Sequence, residues 1–253
     1  MNDVLVVEDL VCSFGGVRAV DGVTFTCKGG QITGLIGPNG AGKTTVLNAI
    51  AAAVHLSRGS IKWEGQELAG LSTYQVARRG IARTFQISNV FEHLTVLENL
   101  LQGAPPGRAD SLRGALFGAR AARRWEAQQV EKARELLSRC GLAEHEDQYA
   151  GELSGGQKRL VEISRSLMSD ARFLLLDEPM AGVNPTLGEQ IAEYLRELVS
   201  GGNLSMLMVE HEMAVVSELC SNVVVMAQGS VLMEGTMEDV QRDQRVRDAY
   251  LVG

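Results

Sequence analysis

Residues 31–54 constrain the chain more tightly than any other stretch. Gln-Ile-Thr-Gly-Leu-Ile (31–36) is a compact apolar run. It is followed by Gly37-Pro38-Asn39-Gly40-Ala41-Gly42-Lys43-Thr44, and then by an alanine-rich segment to Val54. That order predicts strand, glycine loop, helix. The loop matches the pattern GxxxxGK[ST] in the one context that gives the pattern physical meaning, after a strand and opening a helix. Glycines let the backbone curl until successive N–H groups converge on an anion, and the helix N-terminus adds its partial positive charge. In such a cradle Lys43 meets the β- and γ-phosphates of a nucleotide, and the Thr44 hydroxyl meets Mg²⁺. Gly37, Pro38, Asn39, Gly40, Ala41, Gly42, Lys43, Thr44 and the adjoining Thr45 are therefore the candidate nucleotide-binding residues.

A phosphate-binding loop needs an acid nearby to hold the metal, and one stands at a suitable place. Phe173-Leu174-Leu175-Leu176-Asp177-Glu178-Pro179 sets two carboxylates at the end of a buried strand. Asp177 suits magnesium, through water. Glu178, one residue on, suits the γ-phosphate side as a general base for an attacking water. A third element is Leu153-Ser154-Gly155-Gly156-Gln157. It combines an N-cap serine and two glycines with a helix whose apolar positions Leu160, Ile163 and Leu167 keep helical spacing. This second anion-binding helix start has no lysine or metal ligand of its own, and the first leaves one side of a nucleotide open. Two incomplete phosphate sites in one chain suggest completion across a dimer.

The remaining sequence supplies a frame. Alternation at 4–10 and 23–26, with Ile61 and Trp63 between Gly59 and Gly65, predicts antiparallel strands. Past Leu100, Pro105-Pro106-Gly107 breaks the chain. Residues 108–124 then carry five arginines against one aspartate, and 125–140 read as a charged amphipathic helix. Apolar runs at 173–176, 204–209 and 223–226 alternate with helices such as 186–200, the signal of a parallel α/β sheet. With 253 residues the chain suits one large domain or a core with an insertion. A net charge of −7 without a long basic run argues against a general nucleic-acid binder. No run approaches the roughly 18–20 apolar residues of a spanning helix, and the N-terminus lacks a signal peptide's basic region, so a cytosolic address is expected. Cys12, Cys27, Cys140 and Cys220 show no metal or redox spacing, and structural thiols are expected.

P-loop, LSGGQ and LLLDEP in this order and spacing resemble the nucleotide-binding subunit of an ABC transporter, a likeness that covers essentially the whole chain. The resemblance implies an α/β fold: a P-loop NTPase core with a parallel sheet, an antiparallel β subdomain and an inserted α-helical subdomain. The expected organisation is one domain over 1–253, with core 1–86 and 166–253 and a helical part at about 87–165. It also implies an ATPase that uses ATP and Mg²⁺, in which LSGGQ of one subunit closes on the γ-phosphate held by the P-loop of the other. On the same resemblance Phe14 stacks on adenine, and Gln86 in Arg83-Thr84-Phe85-Gln86 lies near Mg²⁺ and the attacking water. His211 in Met208-Val209-Glu210-His211-Glu212 contacts the γ-phosphate. The catalytic set is then Glu178, His211, Gln86 and Lys43, and the metal set Thr44, Gln86 and Asp177. Read without the family, Phe14 also suits a plain turn residue, and His211 after an apolar run also suits a structural histidine.

Asn184 in Ala181-Gly182-Val183-Asn184-Pro185 stands where many ABC subunits carry aspartate, which removes a charge while keeping hydrogen bonding. This variant is similar to ATPases of branched-chain amino acid importers. So are Thr84-Phe85-Gln86, the Leu94–Leu100 segment, the arginine-rich insert, Val209-Glu210-His211-Glu212-Met213 and the closing Tyr250-Leu251. Lipopolysaccharide- or lipid-export and urea-import ATPases share much of the pattern, and an iron–sulfur assembly ATPase is a further alternative. The partners implied are a second ABC ATPase, the same or different, and transmembrane permeases, with a substrate-binding protein beyond them and no nucleic acid. The location implied is cytoplasmic and peripheral, on the inner face of the membrane. The permease is expected to dock on the helical segment after Gln86, where Ile87, Val90 and Phe91 suit a groove or ordinary core packing. The arginines at 108–124 suit a solvated helix face or anionic headgroups.

Overall fold

Strand-forming alternation at the N-terminus becomes two long antiparallel strands, β1 (Asp3–Phe14) and β2 (Val17–Lys28), in the computed structural model, which describes residues 2–84, 90–106 and 119–252. Their alternating inward residues Leu5, Val7, Val23, Phe25 and Cys27 are buried. β4 (Arg58–Trp63) and β5 (Gln66–Glu67) complete a four-stranded antiparallel sheet in the order β2-β1-β4-β5.

The second sheet has six strands in the order β10-β9-β3-β8-β7-β6. β3 (Ile32–Ile36), β6 (Ile81–Arg83), β7 (Phe173–Asp177), β8 (Ser205–Val209) and β9 (Asn222–Ala227) run parallel, and β10 (Ser230–Gly235) pairs antiparallel at the edge. β3, β7 and β8 are buried along their whole length, as strands covered on both faces must be, which explains why apolar residues dominate them. One core joins residues of the two sheets, including Trp63 and Phe173 in an edge-to-face contact at 5.2 Å.

The described residues form nine α-helices: α1 (Lys43–Ile50), α2 (Thr73–Arg78), α3 (Val96–Leu101), α4 (Ala119–Arg139), α5 (Gly155–Leu167), α6 (Pro185–Ser200), α7 (Met213–Leu219), α8 (Met237–Arg242) and α9 (Gln244–Val252). The helix expected over 43–54 ends earlier, because Ala52 turns into the left-handed region at φ 53°. By its contacts the chain divides into two units, one of residues 1–86, 172–181 and 195–253, the other of 87–171 and 182–194. Both sheets lie in the first. α3, α4 and α5 pack together in the second, around Leu100, Leu137, Leu142, Leu160 and Ile163. The expected helical segment 87–165 falls within this second unit.

No helix among the described residues is long and apolar enough to cross a membrane. The cysteines are free thiols, and burial pushes Cys27 and Cys220 up to about 12.

Candidate functional site

The loop after β3 is shaped by glycines that no other residue replaces. Gly37 has φ 150°, and a Cβ there would lie 2.1 Å from the Met226 carbonyl oxygen. Gly42 has φ 97°, and its Cβ would lie 2.4 Å from the Ala19 carbonyl oxygen. Strand β9 and the β2 backbone thus press against the loop and hold its curl. α1 starts directly from Gly42, whose carbonyl accepts the Val46 N–H at 3.0 Å. Lys43 is buried, and its Nζ donates to the carbonyls of Gly37 (2.8 Å) and Pro38 (2.9 Å). Desolvation lowers its pKa, against the opposing pull of the Glu178 and Asp177 carboxylates. Thr44 is exposed on the first turn and Thr45 is half-buried. Phe14 ends β1 at the tip of the β1–β2 hairpin with 52% of its surface exposed, an open aromatic face.

The carboxylates stand at the end of β7. Asp177 is fully buried, and its Oδ2 accepts from Arg83 Nη2 at 3.1 Å, while Arg83 also donates to Asn48 on α1. Glu178 continues the ladder, its N–H donating to the Val209 carbonyl at 3.0 Å, but its backbone then turns to φ 48°. That turn carries the side chain out of the strand direction, and Glu178 Oε1 lies 2.5 Å from His211 Nε2. Beneath them Glu210 is buried. Its Oε1 accepts the Met180 N–H (2.9 Å) and its Oε2 the His211 N–H (3.1 Å), which ties the turn after Glu178 to the segment bearing His211. Desolvation raises the Glu210 carboxyl, against the lowering effect of those two N–H donors.

Sequence reasoning passed over Arg83, Asn48 and Glu210. Only Glu210 carried a signal, a carboxylate directly after the apolar run Met206–Val209. Gln86 lies outside the described residues. Among the described residues no group of three or more His, Cys, Asp or Glu side chains forms a metal cage. A hydroxyl at Thr44 and a buried carboxylate at Asp177 are instead hard oxygen donors of the kind that hold Mg²⁺ together with phosphate and water, so the donor set fits that ion.

In the second unit Ser154 caps α5. Its Oγ accepts the Gln157 N–H (3.4 Å) and donates to Gln157 Oε1 (2.9 Å), which also accepts the Ser154 N–H (3.0 Å), a reciprocal capping box. Gly155 faces open space among the described residues. Gly156 is a packing glycine, since a Cβ there would come within 2.8 Å of Leu187. Leu153 is buried beneath the turn. Asn184 caps α6, its Oδ1 accepting the Leu187 N–H at 3.0 Å.

Residues 20–181 match the ABC transporter family, and 230–251 match the branched-chain amino acid ATP-binding cassette transporter family. The chain belongs to the ABC transporter ATP-binding family. Over 248 residues this cassette is 38% identical to the high-affinity branched-chain amino acid transport ATP-binding protein BraF of Pseudomonas aeruginosa, covering 98% of this chain and 97% of that one. It is 37% identical over 247 residues to the Escherichia coli protein LivG of the same description, again covering 98% and 97%. Among solved structures it is similar to a nucleotide-free ATP-binding cassette from an ABC transporter, with TM-score 0.84 and 34% identity over 98% of this chain and 99% of that one. A cassette in its ADP conformation aligns over all of both chains, with TM-score 0.83 and 31% identity. The cassette is thus a transporter ATPase with an α/β fold.

Proposed function

We propose that this cassette hydrolyses MgATP to drive import of branched-chain amino acids through separate permease subunits, paired with a second cassette at the inner face of the membrane. The observation that carries the catalytic part is the Glu178–His211 pair at 2.5 Å, set just past the buried Asp177. The cargo follows the printed descriptions of the relatives and the match at 230–251.

Lys43 exchanges the Gly37 and Pro38 carbonyls for phosphate oxygens, so one set of charge-assisted hydrogen bonds replaces another. Phe14 offers its exposed ring to adenine, and the Gly37–Thr45 backbone wraps the phosphates. Thr44, Asp177 and Gln86 hold Mg²⁺, which when bound supplies neutralisation of phosphoryl charge. Glu178 orients the attacking water and accepts its proton, while His211 holds the carboxylate and faces the γ-phosphoryl group. The Ser154 hydroxyl and the Gly156 N–H act on the nucleotide of the opposite cassette, with the rest of Leu153-Ser154-Gly155-Gly156-Gln157 fixing that helix start. Phe91, half-exposed with the Arg165 guanidinium 5.3 Å over its ring, belongs to the surface that receives the permease.

The test is Glu178→Gln. The variant is expected to bind ATP, lose hydrolysis and accumulate as an ATP-bound dimer; hydrolysis at the wild-type rate overturns the assignment of the base. For cargo, vesicles containing the permeases and this cassette should accumulate labelled leucine only with ATP. Uptake of urea, or ATP-driven lipid extraction in its place, overturns the amino-acid reading.

A further inference from the structure

The capping box at Ser154 has a third member. His145 ends a 3₁₀ turn (Ala143–His145), and its Nε2 lies 3.4 Å from Gln157 Nε2. The orientation of the Gln157 amide is dictated by its other end, because the Ser154 backbone N–H is purely a donor and points at Oε1. The amide nitrogen, also a donor, therefore faces the imidazole. His145 Nε2 must accept, so its proton sits on Nδ1, an atom buried without a hydrogen-bond partner among the described residues. A buried N–H without a partner is costly, and the Gln157 contact is what this tautomer gains in return.

We propose that His145 is a positioning residue for Leu153-Ser154-Gly155-Gly156-Gln157: its neutral imidazole fixes the Gln157 amide, which fixes the Ser154 hydroxyl and the start of α5. This rests on the reading that Ser154 acts on a nucleotide across a dimer. Without an acceptor at position 145 the Gln157 amide is free to rotate, and the Ser154 N–H and hydroxyl lose the oxygen that they share.

The charged groups on the elements around His145 do not offer it a substitute. Arg134 of α4 is paired with Glu146 (2.9 Å), and Lys158 of α5 with Glu92 (3.4 Å). Glu98 of α3 accepts from the Thr95 N–H (2.8 Å), and Glu144 on the turn and Asp147 just after it are both exposed.

The experiment uses ATP-dependent dimerisation of the Glu178→Gln protein, followed by light scattering at neutral pH. Adding His145→Phe, which removes the acceptor, is expected to raise the ATP concentration for half-maximal dimerisation about tenfold, with the fold checked by circular dichroism. Adding His145→Gln instead, which keeps an acceptor, should hold that concentration within about twofold of the parent protein. Equal dimerisation with and without His145→Phe overturns the proposal, and so does a His145→Gln protein as weak as the His145→Phe one.

Ser154→Ala separates the two levels. If it leaves dimerisation unchanged, the cross-dimer reading of Ser154 fails. If it weakens dimerisation while His145→Phe changes nothing, only the role of His145 fails. Nitrogen NMR of the monomer is independent of dimerisation: a proton on Nδ1 at neutral pH is expected, and one on Nε2 overturns the assignment.

Discussion

Replacing Asn184 divides the work of a helix cap from the work of a charge. Its Oδ1 accepts the Leu187 N–H at 3.0 Å and its carbonyl accepts the Gly188 N–H at 2.9 Å, so it is the N-cap of the sixteen-residue helix α6. The substitution Asn184→Ala leaves the Leu187 N–H to water, a loss of about 1 kcal/mol. The substitution Asn184→Asp keeps the acceptor and places a negative charge at the positive end of the helix, a gain of about 0.3–1 kcal/mol at an exposed site. The stability order is therefore Asn184→Asp at or above wild type, and wild type above Asn184→Ala, over a span of about 1.5 kcal/mol. For a chain of this size each kcal/mol moves the melting temperature about 2–4 °C. Thermal melting by circular dichroism in low salt, repeated in 0.5 M NaCl to screen the dipole contribution, reads all three proteins. An alanine variant melting with the wild type, or an aspartate variant melting below the alanine one, refutes the capping argument.

Arg83→Met takes the guanidinium away from the buried Asp177 carboxylate, and truncating one partner of such a pair costs about 3 kcal/mol or more; urea unfolding should show it, and a loss under about 1 kcal/mol would contradict the pairing. Asn99→Leu removes one buried amide that accepts the Phe91 N–H (2.8 Å) and donates to the Phe91, Leu94 and Thr95 carbonyls. At about 1 kcal/mol per bond the loss of the four is about 4 kcal/mol, and hydrogen exchange should reveal an unprotected Phe91 amide. Glu210 gives a pH signature. Its folded pKa is raised above 4.5 by burial, so its proton is held more tightly in the folded chain. The stability linked to it is complete below that value and is lost as pH rises through the raised one. Between pH 5 and 8 the urea midpoint of wild type should fall relative to that of Glu210→Gln, and parallel curves would refute the assignment.

What was legible in the sequence was contiguous. The loop at 37–44 carries its curvature in its own glycines, β3, β7 and β8 announce burial by mostly apolar runs, and Ser154 with Gln157 three residues on spells its own cap. What was not legible is assembled from separate elements. Arg83, Asn48 and Asp177 come from β6, α1 and β7, and no spacing rule joins them. Gly156 reads as a phosphate-loop glycine, yet the contact that requires it is with Leu187, far along the chain in a different helix. The first strands are longer than their alternation suggests, because β1 and β2 run on into exposed residues such as Ser13 and Arg18, where pairing continues after the apolar pattern has faded.

The left-handed backbone at Glu178 bears on how an inactive copy of this cassette is made. A residue with a Cβ held at φ 48° carries about 1–3 kcal/mol of strain, and the fold tolerates it because the turn aims the carboxylate. Glutamine retains both the strain and the hydrogen bonds, alanine retains the strain alone, and glycine removes it. Three variants that the proposed role of Glu178 makes equally unable to hydrolyse ATP are then three different ground states. The glycine one relaxes the turn after β7, so a defect measured with it mixes the lost carboxylate with a changed backbone.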